Sequence, residues 1–328
     1  MKIIALEEHF VTGAALAAWA KVPPEWADVA AGQATSALQD RLKDLGAGRI
    51  AAMDQNGIDV QVLSLTAPAA QSVETADAVA LAHDTNDLVA EAVRAHPDRL
   101  QAFATLATPD PKAAAKELSR AVAELGFHGA MTFGRTRATN LDDAAMWPIF
   151  EAAAHHRAPL YLHPQAPTLP VREQLYGGFG DQLDGAFATF GIGWHYEAGV
   201  QLLRLILAGV FDRFPNLQVI TGHWGEVVLF YLDRIAGLKR VVTLERDIPD
   251  YFRTNISVTP SGMWSQRYFR WALEVVGAER ILFSTDYPYR YSEDDTPRRF
   301  LADASLNDAD REKIAHGNWE RLVADIRR

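Results

Sequence analysis

Carboxylate and imidazole side chains stand at the ends of four short apolar runs in this sequence. They are Glu7 and His9, then His163, His223 and Asp286. Such side chains hold divalent cations in the absence of thiolates, and the chain has no cysteine. A single histidine in such a place is more often a hydrogen-bonded structural residue. Four runs that end in this way favour a metal site.

The spacing of Glu7 and His9 within the first run would let both side chains bind one metal ion. Successive side chains of a strand alternate, so Glu7 and His9 are predicted to face one way and Glu8 the other. If the runs are strands of one barrel, His163 and Asp286 can converge on the same ion from across the lumen. Oxygen and imidazole ligands suit Zn²⁺, Mn²⁺ or Fe²⁺ and do not separate them.

A second carboxylate follows His223 at a distance of three residues. We predict Glu226 at the start of the next helix, where it can hydrogen-bond one imidazole nitrogen and fix the tautomer of His223. That pairing suits a catalytic or proton-shuttling histidine. The alternative is a helix N-terminal anion with no catalytic part. Asp286, beside a cation, is the natural acid or base.

The elements that must position these residues alternate between strand and helix. The predicted strands are residues 2–9, 59–65, 99–106, 128–133, 159–164, 217–223, 252–258 and 281–288, and the predicted helices include 41–56, 75–95, 111–125, 142–154 and 200–214. Eight strands alternating with helices predict an α/β fold with a parallel sheet, and their number favours a single (β/α)₈ TIM-type barrel over residues 1–328. An open doubly wound sheet is the alternative, and length alone also allows two ordinary domains.

Two connections are longer than simple loops. Residues 10–39 follow the first strand and contain Trp26, and residues 165–195 follow the fifth strand and contain His195. Long connections in compact domains are usually functional lids or disordered segments, and the aromatic content of these two argues against disorder. We predict that both insertions lie over the catalytic face, since both follow strands.

Composition excludes several classes of protein. The chain has 32 basic and 42 acidic residues and a formal net charge of −10, with no basic stripe of the kind that binds nucleic acid. No run approaches the roughly 20 apolar residues that span a bilayer. We expect a cytoplasmic protein with no nucleic-acid or membrane partner.

Several motifs resemble a known family. They are residues 5–10 (ALEEHF), 161–164 (YLHP), 203–215 (LRLILAGVFDRFP), 222–226 (GHWGE) and 282–289 (LFSTDYPY). In this order the chain resembles the amidohydrolase superfamily, in the amidohydrolase-2 branch that contains gamma-resorcylate, 2,3-dihydroxybenzoate and 5-carboxyvanillate decarboxylases. Residues 132–135, Ala198 and Arg290 depart from the pattern of the decarboxylases, so the motifs leave the substrate open.

The resemblance implies a role for each matching residue. Glu7, His9, His163 and Asp286 match the family's metal ligands, and His223 matches a catalytic histidine with Glu226 as its partner. Arg234 matches an arginine on the substrate side or at a subunit contact. The resemblance also implies a homodimer or homotetramer. We assign further substrate contacts to four residues in the motifs and insertions: Phe10, Trp26, His195 and Tyr289.

The expected function is metal-dependent, non-oxidative decarboxylation of a hydroxylated aromatic acid of the benzoate type. It needs one divalent ion, Zn²⁺ or Mn²⁺, and no organic cofactor. Hydrolysis of a lactone, ester or amide on the same scaffold is the alternative, because the same residues could activate a water molecule. A non-enzymatic metal-binding protein is a third possibility. The resemblance favours decarboxylation, since Glu7 and His9 match the Glu-x-His pattern of the phenolic acid decarboxylases.

Overall fold

The computed structural model describes residues 1–32 and 35–328; residues 33 and 34 of the first insertion lie outside the described residues. The strands in chain order are β1 (Ile4–Phe10), β2 (Val60–Leu65), β3 (Leu100–Ala102), β4 (Ala104–Thr105), β5 (Ala130–Phe133), β6 (Arg135–Thr136), β7 (Thr139–Asn140), β8 (Leu160–His163), β9 (Val219–Thr221) and β10 (Ile256–Val258). All are short, and every residue of β1, β2, β5 and β8 is buried, as expected for strands covered on both faces.

Helices connect and cover these strands. The longer ones are Gly13–Trp19, Ser36–Lys43, Ala47–Asn56, Thr75–Ala95, Pro111–Ala123, Trp147–His156, Gly193–Leu207, Val228–Ile235, Ile248–Thr254, Gln266–Val276, Thr296–Ala302 and Asn318–Ala324. Shorter helical turns are Val29–Gly32, Ala144–Met146, Leu169–Val171, Arg172–Tyr176, Asp181–Ala186, Phe187–Gly191, Val210–Arg213, His223–Glu226, Ala236–Arg240, Ala278–Arg280, Asp308–Glu312 and Lys313–Gly317. Within the ranges that the structure describes, no helix combines the length and the apolarity that a membrane crossing requires.

Parallel pairing runs through both larger sheets. One sheet has the order β1-β2-β3 and the other the order β10-β9-β8-β5-β4, while β6 and β7 form a small antiparallel hairpin. Parallel pairing places the carboxyl ends of the strands at one edge. The predicted α/β class with parallel sheets is confirmed.

The eighth predicted strand, residues 281–288, is held by single bridges instead of a continuous ladder. Ile281 bridges Val258, and Ser284 bridges Leu6, both in parallel. The reason lies at Thr285, whose backbone N–H donates to the Glu8 carboxylate at 2.8 Å and not to a backbone carbonyl. A hydrogen bond to a side chain therefore replaces one backbone hydrogen bond between β1 and this segment.

Several predicted boundaries were wrong for local reasons. The helix predicted over 41–56 is two helices, Ser36–Lys43 and Ala47–Asn56. The Asp44 carboxylate accepts from the Gly46 N–H, and this turn interrupts the helix between them. The strand predicted over 252–258 starts at Ile256, since the preceding residues finish the helix Ile248–Thr254.

Two other predicted helices also change. The helix predicted over 200–214 begins at Gly193 and ends at Leu207, before Gly209 in the left-handed region. The helix predicted over 142–154 begins at Trp147, after the short turn Ala144–Met146.

The two insertions contact each other beside the carboxyl end of β8. The backbone N–H of Ala166 donates to Asp28 Oδ2 at 2.8 Å, and Arg172 donates to the carbonyl of Ala27 at 3.2 Å. Trp26 and Arg172 line the same small groove. Both insertions therefore lie at the strand edge that carries His163, as predicted.

Candidate active site

Four predicted ligand side chains converge at the carboxyl ends of the strands. His163 Nε2 lies 3.5 Å from Glu7 Oε1, and His9 Nε2 lies 3.5 Å from Asp286 Oδ1. The rings of His9 and His163 meet edge to face, with centroids 4.8 Å apart. The fold therefore brings together four residues that are separated by up to 279 positions in the sequence.

Unusual backbone conformations aim two of these side chains. Glu7 has a φ of 63° at an irregularity in the pairing of β1 with β2, between Ala5 and Glu8. Asp286 has a φ of 58°. Left-handed conformations cost free energy in residues other than glycine and persist where the surrounding contacts fix them, often at functional sites. The predicted alternation holds: Glu7 and His9 share the cluster, while Glu8 contacts Thr285 and Gln61.

Hydrogen bonds fix the side chains of His163, His9 and Glu7 through one atom of each and leave the other nitrogen or oxygen atom available to a metal ion. His163 Nδ1 donates to the carbonyl of Pro164 at 2.7 Å, so its Nε2 carries a lone pair. His9 Nδ1 is paired with Ser64 Oγ at 3.2 Å. Glu7 Oε2 accepts from Tyr161 at 2.5 Å, from Ser284 at 3.3 Å and from Ser261. One oxygen of Glu7 is thus saturated and the other is left for the cluster.

The residues present fit a divalent cation. Across the described residues, Glu7 Oε1 and His9 Nε2 are buried polar atoms without a hydrogen-bond partner, an arrangement that is costly unless a ligand satisfies them. Two ligand atoms about 2.1 Å from one ion lie roughly 3.0–3.4 Å apart, close to the separations observed. The donor atoms of Glu7, His9 and His163 all lie within 4.8 Å of one another.

Burial gives the histidines of this cluster the protonation state that a ligand needs. It lowers the pKa of His9 to about 4 and holds the pKa of His163 well below its usual range. Both imidazoles are therefore neutral at pH 7, as metal ligands must be. Burial raises the pKa of the Glu7 carboxyl, which is fully enclosed.

A second cluster forms around Glu226. Its Oε1 pairs with His223 Nδ1 at 2.7 Å and its Oε2 with His195 Nδ1 at 2.8 Å, and the two rings lie 4.6 Å apart. Burial raises the pKa of Glu226, but the two imidazoles outweigh it and lower that pKa to about 2. Burial lowers the pKa of His223, and Glu226 outweighs it and raises that pKa to about 10. Because the Nδ1 atoms are already paired with Glu226, this cluster suits proton sharing.

Glu226 reaches both histidines from the short turn His223–Glu226, which is left-handed, and not from the start of the helix Val228–Ile235. His223, Trp224, Glu226 and Val227 all have positive φ, and the next helix begins at Val228. The predicted pairing of Glu226 with His223 is present, but the predicted helical position was wrong. Only two residues of the motif are glycines, so the sequence gives little sign of this backbone path.

Asp286 faces both clusters. Burial raises its pKa to about 7, against the charges of His223 and Arg290, which lower it. Its side chain is 13% exposed, whereas those of Glu7 and His9 are fully buried. Asp286 is therefore a carboxyl that can carry a proton near neutral pH and that remains partly accessible from outside the cluster.

The residues predicted to contact substrate occupy different places. Tyr289 lies at the site, with its ring 5.6 Å from that of His9 and its hydroxyl 2.7 Å from Thr66 Oγ1. His195 belongs to the Glu226 cluster. Phe10 is buried in the hydrophobic core, and Arg234 is exposed on the helix Val228–Ile235.

Sequence reasoning missed the residues that support Glu7. Tyr161 precedes His163 by two positions, so strand alternation places both on the same side and could have indicated it. Ser261 and Ser284 come from other segments, and no spacing points to them. Arg135, nearly buried, pairs with Glu197 at 3.0 Å near the groove of Trp26.

The chain thus combines a parallel α/β architecture with a cluster of carboxylates and histidines at the strand ends, which could hold a metal ion. The amidohydrolase family model matches residues 9–324. The chain therefore belongs to the amidohydrolase family, and the predicted resemblance is confirmed.

Several relatives of similar length are decarboxylases. The chain is 37% identical to gamma-resorcylate decarboxylase of Polaromonas sp. strain JS666, over 97% of each chain. The structure resembles 5-carboxyvanillate decarboxylase from Sphingomonas paucimobilis, with 29% identity, a TM-score of 0.91 and 99% of each chain covered. It also resembles dihydroxybenzoic acid decarboxylase from Polaromonas sp. JS666, a structure with bound manganese and the inhibitor 2-nitroresorcinol, with 35% identity, a TM-score of 0.85, and 98% of this chain and 97% of that one covered.

Replacing Glu226 tests the second cluster. In the metal-free protein, Glu226→Gln should lower the pKa of His223 from about 10 to its ordinary range or below, because the carboxylate that stabilises the imidazolium is lost. NMR titration of the histidine ring protons measures this shift. Glu320→Gln is the control, since Glu320 pairs with His316 on the surface. An unchanged His223 titration in Glu226→Gln would contradict the assignment.

Proposed function

We propose that the chain catalyses metal-dependent, non-oxidative decarboxylation of a hydroxylated aromatic acid of the benzoate type. The observation that carries this proposal is the Asp286 carboxyl, which lies 3.5 Å from His9 Nε2 and beside buried oxygen and nitrogen atoms that lack hydrogen-bond partners. Full-length relatives that decarboxylate hydroxylated benzoates support the choice of reaction.

The proposed ligands of one divalent ion are Glu7, His9, His163 and Asp286. When bound, the ion supplies Lewis-acid charge that holds an anionic substrate oxygen and its neighbouring carboxylate. Manganese is favoured over zinc because a relative with 35% identity binds it. No organic cofactor is required, since the reaction only moves a proton and releases CO₂.

The chain's own residues then move the proton. The Asp286 carboxyl donates a proton to the ring carbon that bears the carboxylate, which interrupts aromaticity. The bond to the carboxylate breaks, its electron pair returns to the ring, and CO₂ leaves. His223, fixed by Glu226, holds the phenol oxygen through the ring nitrogen that Glu226 leaves free.

The proposed substrate contacts surround the ring. Tyr289, with its ring against His9, and His195 line the site from two sides. Trp26 lies in the first insertion and lines a groove with Arg172 of the second, and the two insertions would exclude water from a bound ring. Phe10 supports the end of β1 from the core. Arg234 is proposed as a subunit contact.

A homodimer or homotetramer would cover the surface around Arg234. Phe230 and Tyr231 are exposed on its helix, and the ring of Phe230 lies 5.4 Å from that of the exposed Trp271. Small aromatic acids remain the proposed ligands, without nucleic-acid or membrane partners. The cytoplasmic location stays a prediction.

For the fold, we propose a closed (β/α)₈ barrel that forms one domain over residues 1–328. The support is the pair of bridges made by residues 281–284. Val258 bridges Ile281, and Leu6 bridges Ser284, so this segment joins β10 to β1. With β3 and β4 counted as one strand, eight segments then complete a ring.

Substrate turnover tests the proposed function. The manganese-loaded protein should release CO₂ from at least one of 2,6-dihydroxybenzoate, 2,3-dihydroxybenzoate and 5-carboxyvanillate, and removal of the metal by a chelator should lower that rate more than about 100-fold. Headspace CO₂ and chromatography of the phenol measure it, with lactones and esters assayed in parallel. Turnover of lactones alone would establish the hydrolase alternative and exclude the decarboxylase.

Asp286→Asn tests the proton donor. The amide oxygen can still approach an ion, but the side chain cannot act as the acid, so kcat should fall by about 10²–10⁴ at saturating Mn²⁺. Bound manganese is measured in the same samples, which separates loss of metal from loss of the proton donor. Full activity with full metal occupancy would show that another group protonates the ring.

A further inference from the structure

Glu8 is a fully buried carboxyl group that neither cluster uses; burial raises its pKa to about 8, whereas the hydrogen bonds from Thr285 favour the ionised form. It lies between the two proposed ligands Glu7 and His9 but faces the other side of β1. Its Oε1 accepts from the backbone N–H of Thr285 at 2.8 Å, and its Oε2 accepts from the Thr285 hydroxyl at 2.6 Å. Both oxygens of one carboxylate therefore grip one residue, the neighbour of Asp286.

These two hydrogen bonds complete the pairing of β1 with residues 283–287, which is called the seam below. On one side of it, the N–H of Leu6 donates to the carbonyl of Phe283 at 2.9 Å. On the other side, the N–H of His9 donates to the carbonyl of Tyr287 at 2.7 Å. Glu8 supplies the acceptor between these two bonds, where Asp286 takes a left-handed conformation.

A buried chain of hydrogen bonds holds Glu8 from behind. Gln61 Nε2 donates to Glu8 Oε2 at 3.0 Å, and Arg49 Nη1 donates to Gln61 Oε1 at 3.1 Å. Arg49 Nη2 donates to the carbonyl of His9 at 2.6 Å, and its guanidinium lies 4.7 Å from the centre of the Tyr287 ring. Since Arg49 occupies the amide oxygen of Gln61, that amide cannot turn over without losing a bond.

We propose that Glu8 is a positioning residue that directs the Asp286 carboxyl toward the metal ligands by holding Thr285. The inference rests on the proposed function, in which Asp286 is both ligand and proton donor. The Glu8 carboxylate fixes the backbone amide and the side chain of residue 285 together, so the direction in which residue 286 leaves the seam is fixed as well. A carboxyl that must serve an ion and a substrate tolerates little displacement.

The isosteric variant Glu8→Gln disturbs this arrangement with little change of volume. Its Nε2 would face Gln61 Nε2, so two donors would oppose each other. We expect kcat to fall about 10- to 100-fold while KM for the aromatic acid changes less than about threefold. The affinity for Mn²⁺ without substrate, measured by electron paramagnetic resonance, should fall about tenfold.

Partner variants separate positioning from general stability. Thr285→Val removes only the hydroxyl bond and should lower kcat in the same direction, whereas Thr285→Ser keeps both bonds and should restore it. Glu117→Gln is the matched control on the helix Pro111–Ala123, where Glu117 pairs with Arg120 and Asn86 away from the site. It should leave kcat and Mn²⁺ affinity unchanged.

The double variant Glu8→Gln with Gln61→Glu is the most specific test, because it exchanges the two side chains of one hydrogen bond. In the double variant, the amide introduced at position 8 can donate to the carboxylate introduced at position 61 and to the Thr285 hydroxyl, while Arg49 still has an acceptor. Recovery of kcat and Mn²⁺ affinity to within about threefold of the wild type supports positioning. All assays are run well below the melting temperature of each variant.

Two outcomes are kept apart. If Glu8→Gln is folded and keeps wild-type kcat and Mn²⁺ affinity, the positioning role is overturned. If the wild type releases no CO₂ from any acid, the proposed function fails, and the Mn²⁺ affinity of Glu8→Gln still decides the inference. A lower melting temperature alone, with wild-type kcat and Mn²⁺ affinity, would show a purely structural role and overturn the proposal.

Discussion

The structure depends on holding buried oxygen and nitrogen atoms close together although they have no hydrogen-bond partner in the protein. Glu7 Oε1 and His9 Nε2 are enclosed, and within residues 1–32 and 35–328 no group hydrogen-bonds to them. Leaving such atoms unpaired costs free energy, so the surrounding fold must oppose their separation. Saturating the other atoms achieves this: Glu7 Oε2 accepts from Tyr161, and His163 donates to Pro164. The remaining atoms, Glu7 Oε1, His9 Nε2 and His163 Nε2, can then face a common position where a metal ion could bind.

The same requirement explains where the backbone is irregular. Glu7 and Asp286 adopt left-handed conformations at the seam between β1 and the last segment, and His223 and Glu226 adopt them in one turn. The cost of these conformations is offset by bonds such as that from the Thr285 amide to Glu8.

The sequence predicted the part of the site that follows from strand ends. Glu7, His9, His163 and Asp286 each close an apolar run, and parallel pairing is enough to bring such residues to one edge. The contact of His195 with Glu226 depends on where the helix Gly193–Leu207 begins and on a left-handed turn, and neither has a strong local pattern. The last predicted strand became a bridged segment because a side chain, Glu8, replaced a ladder bond. Phe10 and Arg234 were assigned by motif, which carries no information on burial: one lies in the core and the other is exposed.

The two clusters differ in whether their ring nitrogens and carboxylate oxygens have hydrogen-bond partners, and we propose that this difference decides where a metal ion binds. The first has unpaired donors, while in the second the Nδ1 atoms of His195 and His223 are already paired with Glu226. Anomalous diffraction from crystals loaded with Mn²⁺ tests it most directly. We expect one ion per chain, about 2.0–2.3 Å from Glu7, His9, His163 and Asp286. An ion held by His195, His223 and Glu226, or no ion at the first cluster under saturating Mn²⁺, would contradict it.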